Sequence, residues 1–142
     1  MLHGEIASGF FNKLRKVVTV VPGEDGEEDE TITTGISVPI YKFFSNQAGE
    51  RVVIQVKANV QNTLQTAQVW FVIYSTVKSG IVNTSQLENI QHEIESELED
   101  GNITLPSGEI VYFEPMSIDG PFIDGERPQE AFTILRYRIK AY

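Results

Sequence analysis

This chain of 142 residues has no cysteine, which excludes disulfides, a thiolate nucleophile and thiolate metal sites. Histidine is nearly absent too: His3 and His92 stand far apart, so an imidazole-based metal site would be short of ligands. Long apolar runs are missing. The longest, Val69 to Tyr74, falls well short of the roughly 20 residues that cross a bilayer, and no membrane partner is expected. Met1 to Phe11 carries Glu5 in a broken apolar pattern, unlike the basic start and continuous apolar core of a signal peptide. Positive charge is scarce: 11 Lys and Arg face 20 Asp and Glu, for a formal net charge of −9. That balance disfavours a surface that grips nucleic acid through its phosphates.

Catalytic signatures are also lacking. No Gly-x-Ser-x-Gly elbow, no Gly-x-x-x-x-Gly-Lys loop and no Gly-x-Gly-x-x-Gly turn occurs. Glu88 and Glu95 flank His92 at helical intervals but make a weak metal set, and Glu114, Asp119 and Asp124 read as polar groups around turn glycines rather than an acid/base site. No cofactor and no catalytic residue is expected.

What is present is a chain long enough to bury a core of its own, with 41% hydrophobic residues. Leu2, Ile6, Phe10, Leu14 and Val17 recur at helical spacing, which predicts an N-terminal amphipathic helix weakened by Gly4 and Gly9. Val18 to Val21 favours extension, and Pro22-Gly23 ends it. The acidity is then concentrated in one place. Glu24, Asp25, Glu27, Glu28, Asp29 and Glu30 hold six of the twenty carboxylates, predicting a solvated acidic loop over 23–31. The run has too many consecutive charges for the alternating ligands of an EF-hand.

Val38-Pro39-Ile40-Tyr41 is extended, and Asn46 to Gly49 is a turn. A strand from Arg51 to Val60 then sets Val52, Ile54, Val56, Ala58 and Val60 on a core face and Gln55, Lys57, Asn59 and Gln61 on a wet one. The strand from Gln68 to Val77 lacks polar alternation in its middle, which predicts cover on both faces and a central place in the sheet. Ser85 and Glu88 predict a capping box for a helix over about 85–99, with Leu87, Ile90, Ile94 and Leu98 buried and Gly101 past its end.

Pro106-Ser107-Gly108 predicts a turn into an extended segment from Glu109 to Glu114, and Gly120-Pro121, Asp124-Gly125 and Pro128 predict a long loop over 115–130. Phe122 and Ile123 would either fold back from that loop onto the core or present an anchor to a partner. The last strand, Phe132 to Tyr142, puts Leu135, Tyr137, Ile139 and Ala141 on one face and Arg136, Arg138 and Lys140 on the other. This basic row is either the wet side of an antiparallel strand or a contact with an acidic surface of a neighbouring subunit. The fold class is α+β, one domain over 1–142: a mainly antiparallel sheet with an N-terminal helix and one amphipathic helix packed on it.

The order Val38-Pro39-Ile40-Tyr41, Arg51-Val52-Val53-Ile54, Val69 to Tyr74 leading into Ser85 to Leu98, Ile110-Val111-Tyr112-Phe113 and Ile134 to Ala141 resembles that of the tail-terminator and tail-completion proteins of tailed bacteriophages. The likeness covers about four-fifths of the chain in layout, with departures at the acidic insertion and at the loop over 115–130. It implies a structural virion protein, made in the bacterial host cytoplasm. Such a protein forms a ring with copies of itself, six-fold in expectation, at the head-proximal end of the tail. Its partners would be the tail tube protein and the neck or connector proteins, with DNA passing through unbound and the acidic loop lining the channel. Phe122, Ile123, Arg136, Arg138 and Lys140 are then the candidate interface. Alternative readings are another neck ring or adaptor protein, a subunit of a contractile injection machine, or a ligand-binding or enzymatic α+β domain with a pocket near Trp70, Tyr74 and Glu114.

Overall fold

The computed structural model describes residues 3–58 and 67–140. Leu2, Asn59, Val60, Gln61, Ala141 and Tyr142, to which the sequence pattern assigns helix or strand positions, lie outside the described residues.

The apolar run becomes β5 (Ala67–Lys78), flanked on both sides by antiparallel neighbours, β4 (Arg51–Ala58) and β9 (Glu130–Ile139). Its central position is the one its composition predicts. β3 (Ile40–Lys42) runs parallel to β4, while β8 (Ile110–Ile123) pairs with β9 and β7 (Asn102–Thr104) with the start of β8. The order is β3-β4-β5-β9-β8-β7, and β6 (Ile81–Val82) folds back on the end of β5. With α1 (His3–Leu14) and α2 (Thr84–Glu97) this is an α+β domain built on a mainly antiparallel sheet.

Both helices pack on one face of the sheet. Period-two alternation sends Val52, Ile54, Val69, Phe71, Ile73, Leu135, Tyr137 and Ile139 to that face, where all are buried. From α1, Ile6, Phe10 and Leu14 meet them, the Phe10 ring lying 5.4 Å from Phe71 and 5.1 Å from Phe113. From α2, Leu87, Ile90 and Ile94 are buried, joined by Leu98 at its cap, as the three- and four-residue spacing requires. Each such side chain contributes roughly 1.5–3 kcal/mol when fully buried. Gly9, which weakens α1 in isolation, sits where a Cβ would meet Ile103 Cδ1 and Leu105 Cδ2 at 3.0 Å, so it lets the helix approach β7.

Four expectations are corrected. Helix α2 begins at Thr84, and its N-cap is Asn83 rather than Ser85: the Asn83 side chain accepts from Gln86 N–H at 3.2 Å, and asparagine is at least as good a cap as serine. Val17 does not extend α1 but starts β1 (Val17–Val21), which is β-branched throughout and pairs antiparallel with β2 (Glu30–Thr34). The acidic loop is therefore the tip of a hairpin, and Glu30 and Thr31 belong to its second strand. Finally, the expected loop over 115–130 is mostly strand. β8 continues to Ile123 and leaves a connection of only 124–129, because two register shifts, at Pro115/Ser117 and Asp119/Phe122, absorb the turn-forming residues. Pro115 and Pro121 are tolerated on an edge: β7 pairs only with Ile110 to Tyr112, so no ladder bond is lost beyond.

Candidate assembly surfaces

The hairpin β1–β2 forms a two-stranded sheet of its own, outside the main one. All ten of its strand residues are exposed, including Val17, Val18, Val20, Val21 and Ile32. Its root is fixed all the same. Ile36 is fully buried and donates from its N–H to Leu14 O at 2.8 Å. Gly35 N–H donates to Glu97 Oε1 at 3.1 Å, and Ser37 donates from Oγ to Glu93 Oε2 at 2.9 Å, so two α2 carboxylates hold the chain where it leaves the arm. Gly35 has φ +84, and a Cβ there would lie 2.1 Å from Arg15 O. At the far end the tip is an ordered turn, with Glu27 N–H bonded to Glu24 O at 2.7 Å and Gly23 N–H to Asp29 Oδ1 at 2.9 Å. Glu24, Asp25, Glu27, Glu28, Asp29 and Glu30 are all exposed, and among the described residues none of them is ion-paired.

The second surface is the sheet face opposite the helices. Strand register arranges it in rows across β4, β5, β9 and β8. Arg51, Tyr74, Phe132 and Phe122 form one row: the Arg51 guanidinium lies 4.0 Å from the Tyr74 ring centroid, Tyr74 and Phe132 are 5.8 Å apart, and Phe132 and Phe122 5.5 Å. Phe122 is thus not in a loop but on β8, as the half-exposed end of an aromatic row, and its neighbour Ile123, paired with Ala131, points to the other face. Val53, Val72 and Ile134 make the next row, with Val53 and Val72 buried although no helix lies over them.

Beyond them the face turns polar and basic. Trp70 sits between Lys57 Nζ, 5.1 Å from its ring centroid, and Arg136, whose guanidinium is 4.4 Å away. Its indole N–H donates to Gln68 Oε1 at 3.0 Å. Arg136 also pairs with Asp119, while Arg138 and Lys140 share Glu114 at 3.8 and 3.5 Å. The three basic residues do lie on one face, as the two-residue period predicts, but each already has a carboxylate of its own chain. Glu114 and Asp119, expected among loop residues around turn glycines, lie instead on β8 and pair with basic side chains of the neighbouring last strand.

At the far end of this face a buried ion pair joins β4 to β9. Arg51 Nη1 donates to Glu130 Oε1 at 2.7 Å and Nη2 to Oε2 at 3.2 Å, and both residues are buried. Burial alone would raise the Glu130 carboxyl, but the hydrogen bonds and charge of Arg51, the Gly49 N–H and Arg127 hold it below its ordinary value. The sequence pattern does not reveal this pair, because its members are far apart in the chain and neither breaks a motif. It likewise misses Trp70 as the centre of the basic patch, although the parity that sends Phe71 inward sends Trp70 outward.

The third feature is a groove of about 640 Å³ between α2 and β8, with Glu95 and Glu99 on one side and Pro115, Met116 and Ile118 on the other. Tyr137 lies in its floor, its hydroxyl pushed up to about 12 by burial and by the Glu95 charge. Of the three residues expected around a pocket between helix and sheet, Glu114 lines this groove, whereas α2 packs against the face that carries Phe71, and Trp70 and Tyr74 are on the other. Among the described residues no three His, Asp or Glu side chains are grouped to hold a metal ion, and no helix is long and apolar enough to cross a membrane.

No protein-family model matches the chain, and no curated protein matches it.

Proposed function

We propose that this protein is a structural subunit of a tailed-bacteriophage virion. Copies of it close into a ring that ends the tail tube and joins it to the neck. The observation that carries the assembly half of this reading is the β1–β2 arm. An isolated two-stranded hairpin is at best marginally stable in water, and this one keeps both faces and five large apolar side chains exposed. Covering it with another subunit removes that apolar surface from water and completes a sheet or a groove in the neighbour. The position in a phage tail rests on the likeness of element order to tail-terminator proteins. The reading is of an assembly protein, not an enzyme, with DNA passing through the ring unbound because the overall charge is −9.

The test is native mass spectrometry and negative-stain electron microscopy of the full chain at high concentration, alongside a Val18→Asp/Val20→Asp variant. Both positions are exposed, so the variant should fold with unchanged circular dichroism but fail to assemble. Open-centred rings from the parent, absent from the variant, are expected. A parent that stays monomeric, or a variant that assembles equally well, sinks the proposal. The groove under α2 favours a second reading, a small-ligand-binding domain, for which a ligand-dependent rise in Tm abolished by Tyr137→Ala would be the sign.

A further inference from the structure

We infer that the acidic tip of the β1–β2 arm docks on the basic patch around Trp70 of a neighbouring copy. This rests on the ring reading above and supplies its contact. From Val17 to Thr34 the chain carries six carboxylates and no Lys or Arg, so the arm is a concentrated negative surface. The patch is its complement: Lys57, Arg136, Arg138 and Lys140 face two carboxylates, Glu114 and Asp119. Arg138 and Lys140 draw on one Glu114 between them, and both remain about half exposed. Lys57 is held against the Trp70 ring and, among the described residues, has no ion-pair partner. Cations prearranged over an indole are well suited to receive carboxylates, because little side-chain freedom is left to lose.

The arm does not serve its own patch. Its root is bonded to Glu93 and Glu97 of α2, on the helix side of the sheet, whereas the patch is on the opposite side. From Val17 to the tip is about eight residues, which at roughly 3.3 Å each reaches about 25 Å from the body. An arm on one side and its complement on the other make a head-to-tail contact, which generates a ring when the rotation closes. The tip then lies against the next subunit rather than free in the channel. Its attraction is long-ranged only within the Debye length, about 8 Å at physiological salt, so salt should weaken it.

The absence of native cysteine makes the contact directly testable in the full chain. A Glu28→Cys/Arg138→Cys variant, oxidised after assembly, should give a ladder of covalent oligomers. A Glu28→Cys/Lys78→Cys control, with the second thiol at the exposed end of β5, should not. In parallel, Arg138→Glu/Lys140→Glu should weaken self-association about tenfold or more, and adding Glu27→Lys/Glu28→Lys should restore it. Parent rings with no selective ladder and no effect of charge reversal overturn the tip-to-patch contact while leaving the ring intact. A parent that forms no oligomer at all overturns the ring reading together with the contact.

Discussion

At the scale of single residues, the feature with the largest energetic consequence is the Arg51–Glu130 pair. A buried ion pair is weak evidence for stability by itself, but removing one partner leaves an uncompensated buried charge and typically costs about 3–5 kcal/mol. Glu130→Gln keeps the shape and removes the charge, leaving Arg51 to Gly49 O, and should lower stability by roughly that amount. The pH dependence carries the diagnostic sign. Glu130 is held below its ordinary value in the folded protein, so its contribution is fully present above the unfolded carboxyl value near 4.5 and is lost as pH falls through the folded one. Urea unfolding between pH 7 and pH 3 should therefore show a steeper acid loss for the parent than for Glu130→Gln. Equal slopes would mean that Arg51 does not hold the carboxylate as described.

At the scale of elements, what could be read from the sequence divides by whether the decisive partner is local. Helix α2 was legible because Leu87, Ile90, Ile94 and Leu98 encode its buried stripe, and the central place of β5 because its middle lacks polar alternation, although helices cover only the face that carries Phe71. The far half of β8 was not. Pro115, Gly120 and Pro121 ordinarily signal a loop, but an unpaired edge makes no demand for their amides, and the bulges take up the misfit. The acidic run was legible as a charged segment but not as a tip, since Val17 to Val21 finds its partner in Glu30 to Thr34 across the turn. The same element depends on Gly35, whose φ of +84 and contact with Arg15 O admit no side chain. Gly35→Ala should destabilise the protein by about 1 kcal/mol at the least and usually more, because strain and a backbone clash act together. Denaturant unfolding checks this, and the loss should exceed that of Gly26→Ala. At Gly26 the φ is also positive, at +82, but a Cβ would meet nothing within 4 Å.

At the scale of the whole molecule, stability and exposure are unequally distributed. The strands β5 and β9 are paired on both edges for much of their length, β4 on both only from Val52 to Ile54, and together they lie over a core held from one side by two helices. The arm has ten paired strand residues and no core of its own, so its ladder is held by one neighbour and by bonds at its root. Local opening free energies follow such differences, from near zero in peripheral elements to the global value in central strands. In dilute solution the amides of Val18 to Val20 and Thr31 to Thr33 should therefore exchange with solvent much sooner than those of Val69 to Ile73. If the arm is the assembly element, oligomerisation should raise its protection selectively, toward that of β5, while β5 itself changes little. Hydrogen exchange followed by mass spectrometry, at concentrations below and above assembly, separates the cases. Slow exchange in the monomer would mean that the arm is stable without a partner. Unchanged fast exchange in the oligomer would mean that subunits meet elsewhere, and that the exposed valines serve some purpose other than holding a ring together.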